Sequence, residues 1–285
     1  MRTDLAKEAR TIGSFQEGIT EETEHFDRFE ITRIGITNDE VAKAIDKPKG
    51  LYVTIQADLD TFSDSKERDR LSACVSKELS RMIPEDASVM VIGLGNRYIT
   101  ADALGTKTAE NIFATRHIQK HMKDLLPKGT RTVTTFLSNV LGITGMETVE
   151  VVSALGSVIR PDLVVVVDSL SAQELPHIGT VIQMNNSGIC PGAGIGNHRV
   201  GLNEQTLHIP VVALGVPLVV SADAIIESVT KQPLPKEQKE TLSLWSVTPK
   251  DIDALVRDAA RVLSRGINLA LFGTNFADLE SLLES

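Results

Sequence analysis

Four consecutive valines, Val164 to Val167, stand in the run "PDLVVVVDSL" between Pro161 and Asp168. A strand with one wet face alternates apolar and polar residues, because successive side chains point to opposite sides. This run does not alternate, so it is read as a central strand buried on both faces. Such a strand needs helices above and below it, which predicts an α/β fold. Further β-branched runs at 51–57, 88–95, 131–136, 179–184 and 209–216 supply its partners. Between them, 65–83 places Leu71, Cys74, Val75, Leu79 and Met82 at helical spacing. A second helix is predicted over 100–126, opened by Thr100 as its cap and stopped before Pro127. Helical patterns at 144–159 and 248–271 complete the set. Strands alternating with helices predict a largely parallel twisted sheet sandwiched by helices.

The 285 residues, 42% of them apolar, suffice for one sizeable core, and 1–285 is read as a single domain. Residues 14–48 are acidic and mixed, and 228–247, with two prolines and many charges, reads as an excursion or lid whose Trp245 is either core or interface. A net charge of −9 and 4% aromatic residues disfavour nucleic acid as a direct partner, since that needs a basic footprint and stacking surfaces. No run has the apolar length to span a bilayer, and "MRTDLAKEARTIG" lacks the apolar core of a signal peptide. Cys74 and Cys190 make no disulfide framework. The expectation is a cytoplasmic protein of a reducing compartment.

The stretch "MVIGLGNRYITADALG" (90–105) looks like a nucleotide cradle, yet Tyr98 stands where the dinucleotide fingerprint needs its third glycine, and no Walker lysine follows. What remains is a strand-to-helix turn in which Gly95 supplies a backbone conformation closed to other residues. Asp102 falls in the first helical turn, where an acid complements the helix dipole by about 0.3–1 kcal/mol. Asp168 closes the valine strand at its carboxyl end, where open α/β sheets bind ligands, although an Asp there also suits a cap on the following turn. If the two carboxylates share one crevice, one retains its proton, so that one activates water and the other donates a proton. Asn96 and Arg97 border this site, with a surface ion pair the equal alternative for Arg97. Glu147 is most simply a first-turn acid of its helix, and otherwise a third carboxylate of the site. The long loop 185–203 holds Cys190, a weak nucleophile candidate with His177, His198 or His208, because free cysteine is commonly a small buried hydrophobe. No histidine pair has the spacing of an H-E-x-x-H metal site, and no cofactor or metal is expected.

Taken together, "RTDLAKEAR" (2–10), "ITRIGITNDEVAKAIDKPKGLYVTI" (31–55), "VIGLGNRYITADALGTKTAENIFATRHI" (91–118), "GITGMETVEVV" (142–152), "RPDLVVVVDSLSA" (160–172), "GICPGAGIGNHR" (188–199) and "IPVVALGVPLVVSAD" (209–223) resemble, in order, the germination proteases of spore-forming Firmicutes. The C-terminal part after 225 resembles them least. The resemblance implies an endopeptidase that degrades small acid-soluble spore proteins in the spore core during germination, with a fold similar to that of hydrogenase maturation peptidases and a homotetrameric assembly. It nominates an aspartate pair that maps onto Asp102 and Asp168. An alternative, by analogy with the maturation peptidases, is a metal held by Asp102, Asp168 and Glu147 or a histidine. Two departures stand out. Family members are zymogens cut just before the Arg-Thr-Asp-Leu stretch, whereas only Met1 precedes Arg2 here; this implies either a processed form or a minimal pro-segment. Cys190 stands where relatives are expected to carry a histidine.

Overall fold

The computed structural model describes residues 3–10, 17–190 and 200–283. The strands are β1 (Ile19–Phe26), β2 (Phe29–Ile36), β3 (Gly50–Gln56), β4 (Val89–Gly93), β5 (Val133–Leu137), β6 (Leu163–Ala172), β7 (Val181–Asn185), β8 (Val211–Ser221) and β9 (Ser246–Val247). The helices are α1 (Ala6–Arg10), α2 (Asp39–Ala44), α3 (Ser65–Ser80), α4 (Leu104–Ala109), α5 (Arg116–His121), α6 (Leu141–Thr144), α7 (Thr148–Ile159), α8 (Glu204–Leu207), α9 (Ala222–Thr230), α10 (Lys236–Leu242), α11 (Ile252–Phe272) and α12 (Phe276–Leu283).

The strands form one sheet in the order β1-β2-β3-β7-β8-β6-β4-β5, with β9 added beside β8. Val164 to Val167 are completely buried at its centre. Val165 and Val167 join the core under α3, α4 and α11, while Val164 and Val166 join the one under α7 and α8. The absence of alternation thus has the predicted cause. The two main helices follow from their spacing. In α3, Leu71, Cys74, Val75 and Leu79 are buried, and the Asp64 side chain accepts the Lys66 and Glu67 N–H groups at its start. It packs on α11, where Gly266 lies against Val75.

Three sequence readings are corrected. The sheet is mixed: β4, β5, β6 and β8 run parallel, but β1, β2, β3 and β7 form an antiparallel wing. Two of its strands, β1 and β2, come from the acidic region 14–48. The wing's outermost strand, β1, turns Glu21 and Glu22 to the surface, which blunts a sheet edge that would otherwise template pairing. Arg33 on β2 bridges Glu24 and the buried Glu78 of α3 at 2.8 Å each, tying wing to helix.

The helix predicted over 100–126 is broken into a 3-10 turn at 100–102, then α4, α5 and a second 3-10 turn at 123–125. Tertiary partners capture its backbone: Asn268 of α11 accepts the Phe113 N–H and donates to the Asn111 carbonyl, and the Thr115 N–H donates to Val133 of β5. Thr100 caps nothing; its hydroxyl donates to Asp253 of α11.

Residues 228–247 run from the end of α9 through α10 to β9, and β9 pairs with Val220 and Ser221 at the end of β8. Trp245 is exposed rather than core, and its carbonyl accepts the Ala222 N–H.

Candidate active site

The third correction concerns Asp168, which does not end its strand. β6 runs on to Ala172 because β8 continues beside it, through a bulge at Leu170/Ser171 that admits Pro217. The extension is also held by Asp4, whose N–H donates to the Ser171 carbonyl and whose carboxylate accepts the Ser171 N–H. What ends near Asp168 is the neighbour: β4 stops at Gly93, opposite Val167, with one further bond from the Leu94 N–H to the Val167 carbonyl at 2.8 Å. Asp168 is thus the first β6 residue past that ladder. It is buried, and its Oδ1 accepts the Ser169 N–H at 2.9 Å. On its other side it pairs with Gly215, where a Cβ would lie 2.2 Å from the Asp168 carbonyl, so only glycine lets β8 approach this closely.

Asp102 reaches the same edge from the β4 side. Gly95 turns the chain out of β4 with φ +96, and a Cβ there would fall 1.9 Å from the Asp102 carbonyl. Gly95 therefore folds the turn back onto Asp102, and Gly93 lets α4 pack on the strand at Gly105. The Asn96 N–H donates to Asp102 Oδ2 at 2.8 Å, the Asn96 side chain accepts the Tyr98 N–H at 3.0 Å, and the Asp102 N–H donates to the Ile99 carbonyl. This closed set of bonds fixes the carboxylate, and the 3-10 turn that carries Asp102 lies against β6 and α11. Asp102 thus follows the end of β4, and Asp168 is the first β6 residue past the β4 ladder.

The stop of β4 beside β6 has topological meaning. From β4 the chain proceeds to β5 on one side, and from β6 through β7 to β8 on the other. Strands whose connections diverge in this way leave a crevice at their carboxyl ends, the usual ligand site of open α/β sheets.

Asn96 and Arg97 follow the end of β4. Asn96 builds the turn. Arg97 is half exposed and pairs with Glu110 at 3.0 Å, the surface ion pair held open by the sequence. Glu147 is the N-cap residue of α7, its N–H bound to Glu150 at 2.9 Å, on the loop after β5. Cys190 lines a cavity, and its thiol is pushed up from its ordinary value chiefly by removal from water. His177 is engaged elsewhere, 2.6 Å from Glu8. His198 lies outside the described residues. Among those described, no group of three His, Cys, Asp or Glu residues is gathered that could hold a metal ion, and no helix is long and apolar enough to cross a membrane.

Sequence reasoning missed a cavity of about 570 Å³ lined in part by Asp4, Lys47, Tyr52, Leu170, Gln183 and Cys190. It opens two residues along β6 from Asp168, where Leu170 shares the Asp168 face. Burial lowers the Lys47 pKa and raises that of Asp4, each opposed by the charge of the other. No local signal marks Asp4 or Lys47, because the fold brings them together from separate segments.

The model of the germination protease family matches residues 1–243. The germination protease of Clostridium perfringens (strain 13 / Type A) is 37% identical over 95% of both chains. Those of Priestia megaterium and Bacillus subtilis (strain 168) are 30% and 31% identical, over 95% of this chain and 93% of theirs. Among solved structures, the hydrogenase maturation protease HycI from Thermococcus kodakarensis KOD1 is similar at 19% identity and a TM-score of 0.37, over 65% of this chain and 92% of its own. On its sequence, this chain belongs to the germination protease family of peptidases.

Proposed function

We propose that the chain is an endopeptidase that uses Asp102 and Asp168 as a coupled pair to activate water, and that it opens the degradation of small acid-soluble spore proteins during germination. What supports this reading is that Asp168 is the first β6 residue past the β4 ladder and that the Asn96 N–H, just after β4, holds the Asp102 carboxylate. One carboxylate, ionised, takes a proton from water as that water attacks the scissile carbonyl; the other, protonated, gives its proton to the leaving amine. Like charges sharing a crevice keep one proton between them, and the pair titrates as a unit. Asn96 is a positioning residue through its N–H to Asp102. Arg97 and Glu147 border the edge and orient substrate. On the resemblance alone, the proposal extends to the spore substrate, a homotetramer and the spore-core location.

The test is Asp102→Asn and Asp168→Asn against wild type, with purified small acid-soluble spore proteins followed by gel. Each substitution is expected to lower turnover by roughly a hundredfold or more, the range of a lost general acid or base, with an unchanged circular dichroism spectrum. Full activity in either folded variant removes that residue from the mechanism. Wild-type activity is expected to survive exhaustive chelation.

A further inference from the structure

We propose that the cavity beside the N-terminal segment is a binding site for a free α-amino acid with an apolar side chain, held by Lys47 and Asp4. Its volume of about 570 Å³ lies within the roughly 300–1,000 Å³ of small-molecule sites, where a mostly apolar wall carries a few convergent polar groups. Here the apolar wall is Leu170, Ile189 and Ala213. Leu170 and Ile189 pack in one cluster, and Ala213 is buried in β8. Against this wall stand the Lys47 ammonium and the Asp4 carboxylate, with Asp46 exposed beside them. Both groups are anchored by the chain around them. Lys47 Nζ donates to the Thr3 carbonyl at 2.7 Å. Asp4 Oδ2 accepts the Ser171 N–H at 2.8 Å, and the Gln183 side chain accepts the Ala6 N–H and donates to the Asp4 carbonyl. Each group keeps bonding capacity in hand. An ammonium has three donors; among the described residues Lys47 spends one of them, no donor reaches Asp4 Oδ1, and no ion pair joins the two. Burial disfavours both charges, and after burial each is the strongest influence on the other's ionisation. Such attraction falls off with distance, so the two lie close enough for one small ligand to bridge them. The charges then select the ligand. A lone anion meets Asp4, a lone cation meets Lys47, and a neutral molecule leaves both desolvated charges unpaired, which is the costly arrangement. A zwitterion satisfies both: its carboxylate takes the remaining Lys47 donors, and its ammonium donates to Asp4 Oδ1. Closely spaced charges of this kind are those of a free α-amino acid, whose side chain falls on Leu170, Ile189 and Ala213. Because both charges are already anchored, binding costs little ordering.

The experiment titrates the full-length chain with L-leucine by isothermal calorimetry and follows its melting temperature. N-acetyl-leucine, which lacks the cation, and leucinamide, which lacks the anion, are the comparisons. Leucine is expected to bind saturably and to raise the melting temperature in step with its concentration. Each comparison ligand is expected to bind about tenfold more weakly or worse, the loss of one charge-assisted hydrogen bond. Two variants cross-check the assignment. Asp4→Asn keeps an acceptor for the Ser171 N–H; it is expected to weaken leucine and leucinamide by about tenfold or more and N-acetyl-leucine not at all. Lys47→Met is expected to weaken leucine and N-acetyl-leucine to the same degree and leucinamide not at all. Three outcomes overturn the proposal: no saturable leucine binding to wild type; equal affinity for the three ligands; or leucine affinity unchanged in both variants. The first two need only wild type, so a variant that fails to fold leaves the proposal open to disproof. The site stands apart from the aspartate mechanism, and Asp102→Asn is expected to bind leucine as wild type does.

Discussion

Glu8 shows how one buried carboxylate organises chain far from it in sequence. It is a buried residue of α1 and accepts N–H groups from Gln173 and Glu174, just past the end of β6, together with the Thr3 hydroxyl and a bond to His177. Burial pushes its pKa up, but the bonds from His177, Thr3 and the two backbone N–H groups outweigh it and leave the carboxyl below its ordinary 4.5. The sign of the linkage follows: the stabilisation is fully present above that unfolded value and is lost as pH falls through the lower folded one. Melting temperature measured between roughly pH 5 and pH 3 should therefore fall less steeply in Glu8→Gln than in wild type; parallel curves would show that Glu8 carries no such linkage. At this scale Gly95 was legible, because a glycine leaving a strand before a helix has few other reasons to be there. Glu8 and Lys47 were not, since a charged residue in an amphipathic stretch reads as surface until the fold buries it.

Among elements, the valine strand was read in the right place and cut too short. Polar Asp168 and Ser169 look like a strand end, yet β8 and Asp4 supply partners that carry β6 on to Ala172. The helix over 100–126 failed for the opposite reason. Its local pattern is helical, and a side chain of α11 wins the competition for its backbone. Replacing Asn268, which is 3% exposed, with leucine removes the partner of the Phe113 N–H and the donor to the Asn111 carbonyl. The expected cost is about 1–3 kcal/mol, the penalty of a buried polar group left unmade, measured as a lower urea midpoint with unchanged slope. A variant as stable as wild type would return the break to local sequence.

Over the whole molecule, stability is graded from the sheet centre outwards. Strands β4, β6 and β8 are almost wholly buried, while β1 is a largely exposed edge. Native-state hydrogen exchange should show paired β1 amides exchanging roughly a hundredfold faster or more than those of β6, which open only with global unfolding; equal protection would make the antiparallel wing part of one cooperative unit. The sequence by itself determined the buried central strand, the helices α3 and α11 and the two aspartates as candidates, because hydrophobic period and local turn chemistry are properties of neighbouring residues. Only the tertiary structure decided that β4 stops where β6 continues, and that Asp4 and β8 carry β6 on past Asp168. Strand order and pairing length depend on which distant segments bury one another, and no local pattern encodes that choice.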